Sequence, residues 1–174
     1  LRADEADKVC GDLARAYGLI KGSLTNVQSV AECAATLTTY GVDVEDTRSL
    51  TLLPELDQAM RNYTIGITFD EMLSFVLDHN ISLPKYDMVF VDEAQDMNRM
   101  QIEIIKRLLS STGRLVAIGD TYQSIYGFRG ADAGAMDRIR AEFNVSEGNQ
   151  LPLSITYRCP KLVVKEAQRW VSHI

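Results

Sequence analysis

The stretch Met88-Val89-Phe90-Val91-Asp92-Glu93-Ala94-Gln95-Asp96 passes from four consecutive apolar residues directly into two carboxylates. An uninterrupted apolar run of strand length, bounded by polar residues, predicts a parallel strand covered on both faces. Beyond it, Asn98 to Ser110 predicts a helix through Ile102, Ile105, Leu108 and Leu109, and a second apolar run, Leu115-Val116-Ala117-Ile118, stops at Gly119-Asp120. Strand, crossover helix, strand is the repeating unit of an α/β fold. A right-handed crossover lays both strands in one parallel sheet with their polar ends at the same edge. Ligands of open α/β sheets bind at that edge.

Upstream, the chain reads as helices joined by turns. Val9, Leu13, Ala16, Tyr17 and Ile20 recur at helical spacing, and a second helix is predicted from Val27 to Tyr40, capped by Asn26 and stopped by Gly41. A third covers Leu53 to Asn62, with Pro54 in its first turn. Thr64 to Thr68 is β-prone, and Asp70 is placed to cap a helix with Met72, Leu73, Val76 and Leu77 on one face. Downstream, a helix is expected from Ala133 to Glu142, a strand from Leu151 to Thr156, and a last helix after Pro160. Leu162, Val163, Ala167 and Trp170 are expected to be the core side of that helix.

With 174 residues, 46% hydrophobic and 24% charged, the chain has the composition of a globular protein of one domain with a small appendage. It starts without Met, which points to a section of something longer. No run approaches the roughly 18 apolar residues of a membrane span, and the acidic start does not fit a signal peptide, so a cytoplasmic location is expected. Cys10, Cys33 and Cys159 have no paired spacing and are expected to be reduced thiols, Cys159 as a small buried residue or a helix cap. His79 and His173 stand apart from any ligand-spaced partner.

A net charge of −6 argues, taken whole, against a nucleic-acid partner. The charge is unevenly divided: residues 1–97 carry 7 basic and 17 acidic side chains, and residues 98–174 carry 11 and 7. Polyanion contact is therefore expected in the second part.

Two adjacent carboxylates after a buried strand are costly unless a cation or strong donors neutralise them. Mg²⁺ bound to nucleotide phosphates is one answer, and a solvated strand end is the other. The flanking sequence shifts the balance. Val91-Asp92-Glu93-Ala94-Gln95-Asp96, followed by Gly119-Asp120-Thr121-Tyr122-Gln123-Ser124-Ile125-Tyr126-Gly127-Phe128-Arg129-Gly130-Ala131, resembles the second and third motifs of superfamily 1 DNA helicases of the UvrD, Rep and PcrA type. Leu151-Pro152-Leu153-Ser154-Ile155-Thr156-Tyr157-Arg158 resembles their fourth.

That resemblance implies ATP and Mg²⁺ as cofactors. It makes Asp92 and Glu93 the metal and water-activating carboxylates, Gln123 a γ-phosphate sensor, and Arg158 an arginine finger, a device worth about a thousandfold or more in turnover. Nucleotide contacts are implied for Asp92, Gln95, Tyr157, which would stack on adenine, and Arg129. Tyr126 and Phe128 would be platforms for bases of single-stranded DNA. Read without the family, Gln123 is a loop amide capping backbone, Tyr126 packs under its loop, and Arg129 is a surface cation. Phe128 stands where the family usually has Trp, and Thr156-Tyr157-Arg158-Cys159 where it has Asn-Tyr-Arg-Ser.

Thr68-Phe69-Asp70-Glu71-Met72-Leu73 is similar to the stretch with which the family re-enters its first motor domain after a helical insertion. The implied architecture is a partial RecA-like parallel sheet with crossover helices, preceded by a helical insertion subdomain. Residues 1–63 would belong to the insertion, 64–147 to the later half of the first motor domain, and 148–174 to the start of the second. The glycine-rich Gly-x-x-x-x-Gly-Lys-Ser/Thr loop that cradles phosphate is not in these residues. The expectation is therefore a section of an ATP-dependent helicase acting 3′ to 5′ on single-stranded DNA and duplex junctions in repair or replication, inactive without the N- and C-terminal parts of the same protein. A catalytically silent helicase-like DNA-binding module and the motor lobe of a helicase-nuclease are the alternatives.

Overall fold

A computed structural model describes residues 3–42, 47–62, 66–124 and 134–171. They fall into two compact units, divided after Ile139.

The first unit begins with α1 (Ala3–Gly22), α2 (Val30–Thr39), the single turn α3 (Thr47–Leu50) and α4 (Leu53–Arg61). Ala16, Tyr17, Leu19 and Ile20 of α1 meet Cys33 and Leu37 of α2, with Leu50 and Leu53 completing one apolar core. Helix α2 starts three residues later than expected. Asn26 Oδ1 accepts from the Gln28 N–H at 3.0 Å, closing a turn before the helix, and Ser29 Oγ is the cap, accepting from the Glu32 N–H. Gly41 ends the element as expected, with φ +65° just past the C-cap.

A buried charge cluster ties this layer to α5 (Phe69–Asp78). Asp57, 5% exposed, accepts from the Tyr17 hydroxyl at 2.8 Å and from Arg61 Nε at 2.8 Å. Lys21 Nζ lies 3.4 Å from Asp57 and 3.1 Å from Asp78, and Arg61 also reaches Asp78 at 3.2 Å. Burial alone would raise the Asp57 carboxyl. The hydrogen bonds from Arg61 and Tyr17, with the Lys21 and Arg61 charges, outweigh it and hold the carboxyl below its ordinary value. The Tyr17 phenol is pushed up by burial and by Asp57.

At α5 the expected cap is corrected. Thr68, not Asp70, caps the helix, because Thr68 and Glu71 form a reciprocal capping box: Thr68 Oγ1 accepts from the Glu71 N–H, and the Thr68 N–H donates to Glu71 Oε2 at 2.7 Å. Asp70 sits inside the first turn, its carboxyl raised by burial and then by the Glu71 charge. Leu73, Val76 and Leu77 are half-buried, whereas Met72 is exposed.

Strand β1 (Tyr86–Val91), helix α6 (Arg99–Leu108) and strand β2 (Leu109–Ala117) follow in the expected order. The strands are parallel, with Val89 opposite Leu115, Phe90 opposite Val116 and Val91 opposite Ala117. Asn98 caps α6 in a second reciprocal box with Gln101. The expectation of cover on both sheet faces holds on one side only. Val89, Val91, Leu115 and Ala117 are half-buried, while Met88, Phe90 and Val116 are exposed, because among the described residues the sheet has two strands and a single crossover helix packed against it.

Helix α7 (Ala135–Glu142) lies where a helix was expected, and α8 (Lys161–Ala167) follows Pro160. Two expectations in the second unit are overturned. Leu151 to Thr156 is not a strand: an extended segment needs a neighbour to hydrogen-bond with, and none pairs with it among the described residues. Leu162, Val163 and Trp170 are exposed rather than core, since among the described residues of this unit no second layer covers them. Cys159 is likewise exposed, and all three cysteines are free. Among the described residues no helix is long and apolar enough to cross a membrane.

Candidate nucleotide and nucleic-acid site

Asp92 and Glu93 emerge, exposed, from the end of β1. Glu93 has φ 52° and ψ 40°, the left-handed region that costs a non-glycine residue on the order of 1 kcal/mol or more. The chain must turn sharply there. The Ala94 N–H donates to the Ile118 carbonyl at 2.9 Å, and the Ile118 N–H donates to the Val91 carbonyl at 2.8 Å, so the turn after β1 is sewn to the end of β2. The Asp92 carboxylate accepts from the Glu93 N–H at 3.0 Å.

Four side chains then join the two strand ends. Gln95 is 3% exposed; its Nε2 donates to Glu93 Oε2 at 2.7 Å, and its Oε1 accepts from the Asp120 N–H at 3.0 Å. The Asp120 carboxylate in turn accepts from the Tyr122 N–H at 2.9 Å and from Gln123 Nε2 at 2.8 Å. Glu93 and Gln123, 30 positions apart in sequence, thus stand at the two ends of one polar chain through Gln95 and Asp120. Gly119 is required by this packing: a Cβ there would lie 2.6 Å from Gln95 Oε1.

Asp96 Oδ1 is buried with no hydrogen-bond partner among the described residues, and burial, then the Glu93 charge, raises its carboxyl above the ordinary value. A cation held largely by nucleotide phosphates needs only one or two protein carboxylates and water. Exposed Asp92 and Glu93 fit that requirement, whereas no group of three or more His, Cys, Asp or Glu among the described residues could hold a metal.

The geometry gathers Asp92, Glu93, Gln95 and Gln123, with the Gln95 amide hydrogen-bonded to the Glu93 carboxylate and the Asp120 N–H. Tyr126, Phe128 and Arg129 lie outside the described residues. Tyr157, 94% exposed, and Arg158 belong to the second unit, where Thr156 Oγ1 accepts from the Arg158 N–H at 3.3 Å. Sequence reasoning missed Asp120, quoted only as a strand end. The signal was present in its spacing to Tyr122 and Gln123, that of an Asp side chain folding back on the turn it starts.

A protein-family model described as the UvrD/REP helicase N-terminal domain matches residues 41–144, more than half of the chain and all of the β1–α6–β2 unit. Among curated proteins, a probable DNA helicase II homolog of Mycoplasma genitalium is 34% identical over 85 residues, 49% of this chain and 12% of the relative. The corresponding Mycoplasma pneumoniae protein is 35% identical over 83 residues, 48% of this chain and 12% of the relative. The ATP-dependent DNA helicase PcrA of Staphylococcus aureus is 35% identical over 89 residues, 51% of this chain and 12% of that protein. The aligned part is thus a small section of each relative, and no solved structure matches. With the family model covering the strand ends, the crossover helix and the polar chain between them, the chain belongs to the UvrD/REP helicase N-terminal domain family.

Proposed function

We propose that these residues are the part of an ATP-dependent DNA helicase in which nucleotide hydrolysis is carried out and sensed. The observation that carries the reading is the pairing of an exposed Asp92-Glu93 at the end of β1 with Gln123 beyond β2, joined through Gln95 and Asp120. In it, Glu93 orients the attacking water and takes its proton, and Asp92 would help to hold Mg²⁺. When bound, the metal neutralises charge developing on the phosphate oxygens. Gln123 reports the γ-phosphate, an amide being able to donate to a phosphate oxygen or accept from water.

Tyr157 stacks on adenine, and Arg158 neutralises the transferring phosphoryl group. Arg129 contacts the nucleotide side, while Tyr126 and Phe128 offer aromatic faces to single-stranded DNA. Residues 1–63 belong to a helical insertion, 64–147 to the first motor domain and 148–174 to the start of the second. Translocation runs 3′ to 5′, and junctions of single- and double-stranded DNA are the substrate. The phosphate-cradling loop is supplied by sequence other than these 174 residues, so the isolated chain is inactive.

The test uses the full-length protein that carries this chain. Glu93→Gln abolishes DNA-stimulated ATP hydrolysis and leaves nucleotide binding intact, and unchanged turnover overturns the assignment. Robust DNA-stimulated hydrolysis by the 174 residues alone would remove the requirement for a loop from elsewhere.

A further inference from the structure

Gln95 is the most buried side chain at the strand ends that has hydrogen-bonding groups at both ends of its amide, and both are used. Its orientation is forced. The Asp120 N–H can only donate, so it requires the amide oxygen; a Glu93 carboxylate only accepts, so it requires the amide NH₂. Turning the amide over would set donor against donor and acceptor against acceptor. The amide is fixed further at its surroundings. Gly119 leaves room for Oε1 where any Cβ would stand 2.6 Å away, and the Ser124 hydroxyl donates to the Gln95 backbone carbonyl at 3.3 Å, which holds the main chain that carries the side chain.

We propose that Gln95 is a positioning residue that fixes the Glu93 carboxylate and couples it to the end of β2. The inference rests on the reading of Glu93 as the water-activating base. Glu93 has a flexible side chain on a backbone in the left-handed region, and its carboxylate makes no cap hydrogen bond to the backbone of the turn that it starts. One oxygen held at 2.7 Å by a buried amide defines that direction. The other oxygen keeps its capacity to accept from water.

Because the same amide is anchored on the Asp120 N–H, and the Asp120 carboxylate holds Gln123, a displacement of the Gln123 turn is carried to the Glu93 carboxylate through three hydrogen bonds. The base and the phosphate sensor then move as one unit. This differs from a nucleotide contact, in which the Gln95 amide would face the ligand.

The experiment measures DNA-stimulated ATP hydrolysis by the full-length protein, with thermal unfolding of each variant alongside. Gln95→Met removes both hydrogen bonds at similar volume, and kcat should fall about ten- to a hundredfold, the range typical of losing an outer partner that orients a ligand at a metal site, with KM for ATP unchanged. Gln95→Glu still offers the Asp120 N–H an oxygen but sets a carboxylate against Glu93, so its kcat should fall at least as far. Wild-type kcat in Gln95→Met overturns the proposal, as does a rise in KM without a fall in kcat, which would mark a nucleotide contact. Better activity in Gln95→Glu than in Gln95→Met also overturns it, because Gln95 would then serve only the Asp120 backbone. Should both unfold, Gly119→Ala carries the test: its methyl displaces the amide, and kcat should fall with KM unchanged, whereas wild-type kcat overturns the proposal. A wild-type protein with no hydrolysis removes the functional reading itself, an outcome distinct from an active protein indifferent to Gln95.

Discussion

Two places in the molecule use polar side chains, with opposite chemistry. In the helical layer, Asp57 is surrounded by a phenol, a guanidinium and an ammonium, so its charge is cancelled where it is buried. At the strand ends, Glu93 and Asp120 are held by neutral amides and backbone N–H groups, with no cation beside them among the described residues. A cancelled carboxylate stabilises a fold and does little else. One oriented by neutral donors keeps its capacity to accept a proton or help hold a cation, and that is the kind this fold exposes at the sheet edge.

The contrast is sharpest in Glu93→Gln. Complete loss of turnover should come with an unfolding midpoint equal to that of the wild type; a large loss of stability would show that the strand end, too, is built for holding the fold together. Asp57→Ala should do the reverse, costing about 4 kcal/mol in urea unfolding because the Tyr17 hydroxyl loses its acceptor and Asp78 alone is left to balance Lys21 and Arg61, with turnover per folded molecule unchanged. The pH dependence follows in sign. A carboxyl lowered in the folded state contributes stability that is present above its unfolded value of about 3.9 and is lost as pH falls below that and through the folded value. Acid unfolding of Asp57→Asn should accordingly be flatter below about pH 4 than that of the wild type; equal slopes would mean that the cluster does not set acid stability. Leu37→Ala, at a fully buried site, should cost about 3 kcal/mol. Thr68→Ala should cost about 1 kcal/mol through loss of the α5 cap. A fall in kcat in either of the last two, once corrected for folded fraction, would break the separation between the two regions.

Much of this was legible in the residues. The apolar runs at 88–91 and 115–118 located the first strand and the end of the second, since burial in a parallel sheet leaves a signature that depends only on local composition; Leu109 and Ser110, expected in the helix, instead begin β2. The acid pair and Gln123 were visible for the same reason, as polar residues at strand ends. Caps were less legible: Asn26, Ser29, Thr68 and Asp70 are all competent, and which one serves depends on local geometry, a turn closed by Asn26 before α2 and a box completed by Glu71 at α5. The strand expected over 151–156 failed because strand formation is decided by a neighbour, and the exposure of Trp170 and Phe90 by the presence or absence of a covering layer. Neither is written in a local pattern. The roles of Gln95 and Asp120 needed geometry, because an amide reads alike whether it meets a ligand or two protein groups.

The left-handed backbone at Glu93 sets stability and chemistry against each other at a single position. Glycine would relieve the turn and asparagine would tolerate it, so a screen that rewards only thermal resistance should recover Glu93→Gly or Glu93→Asn among its gains. Each such winner would lack the carboxylate. Thermostabilised variants chosen without an activity assay would therefore be enriched in molecules that fold better and hydrolyse nothing.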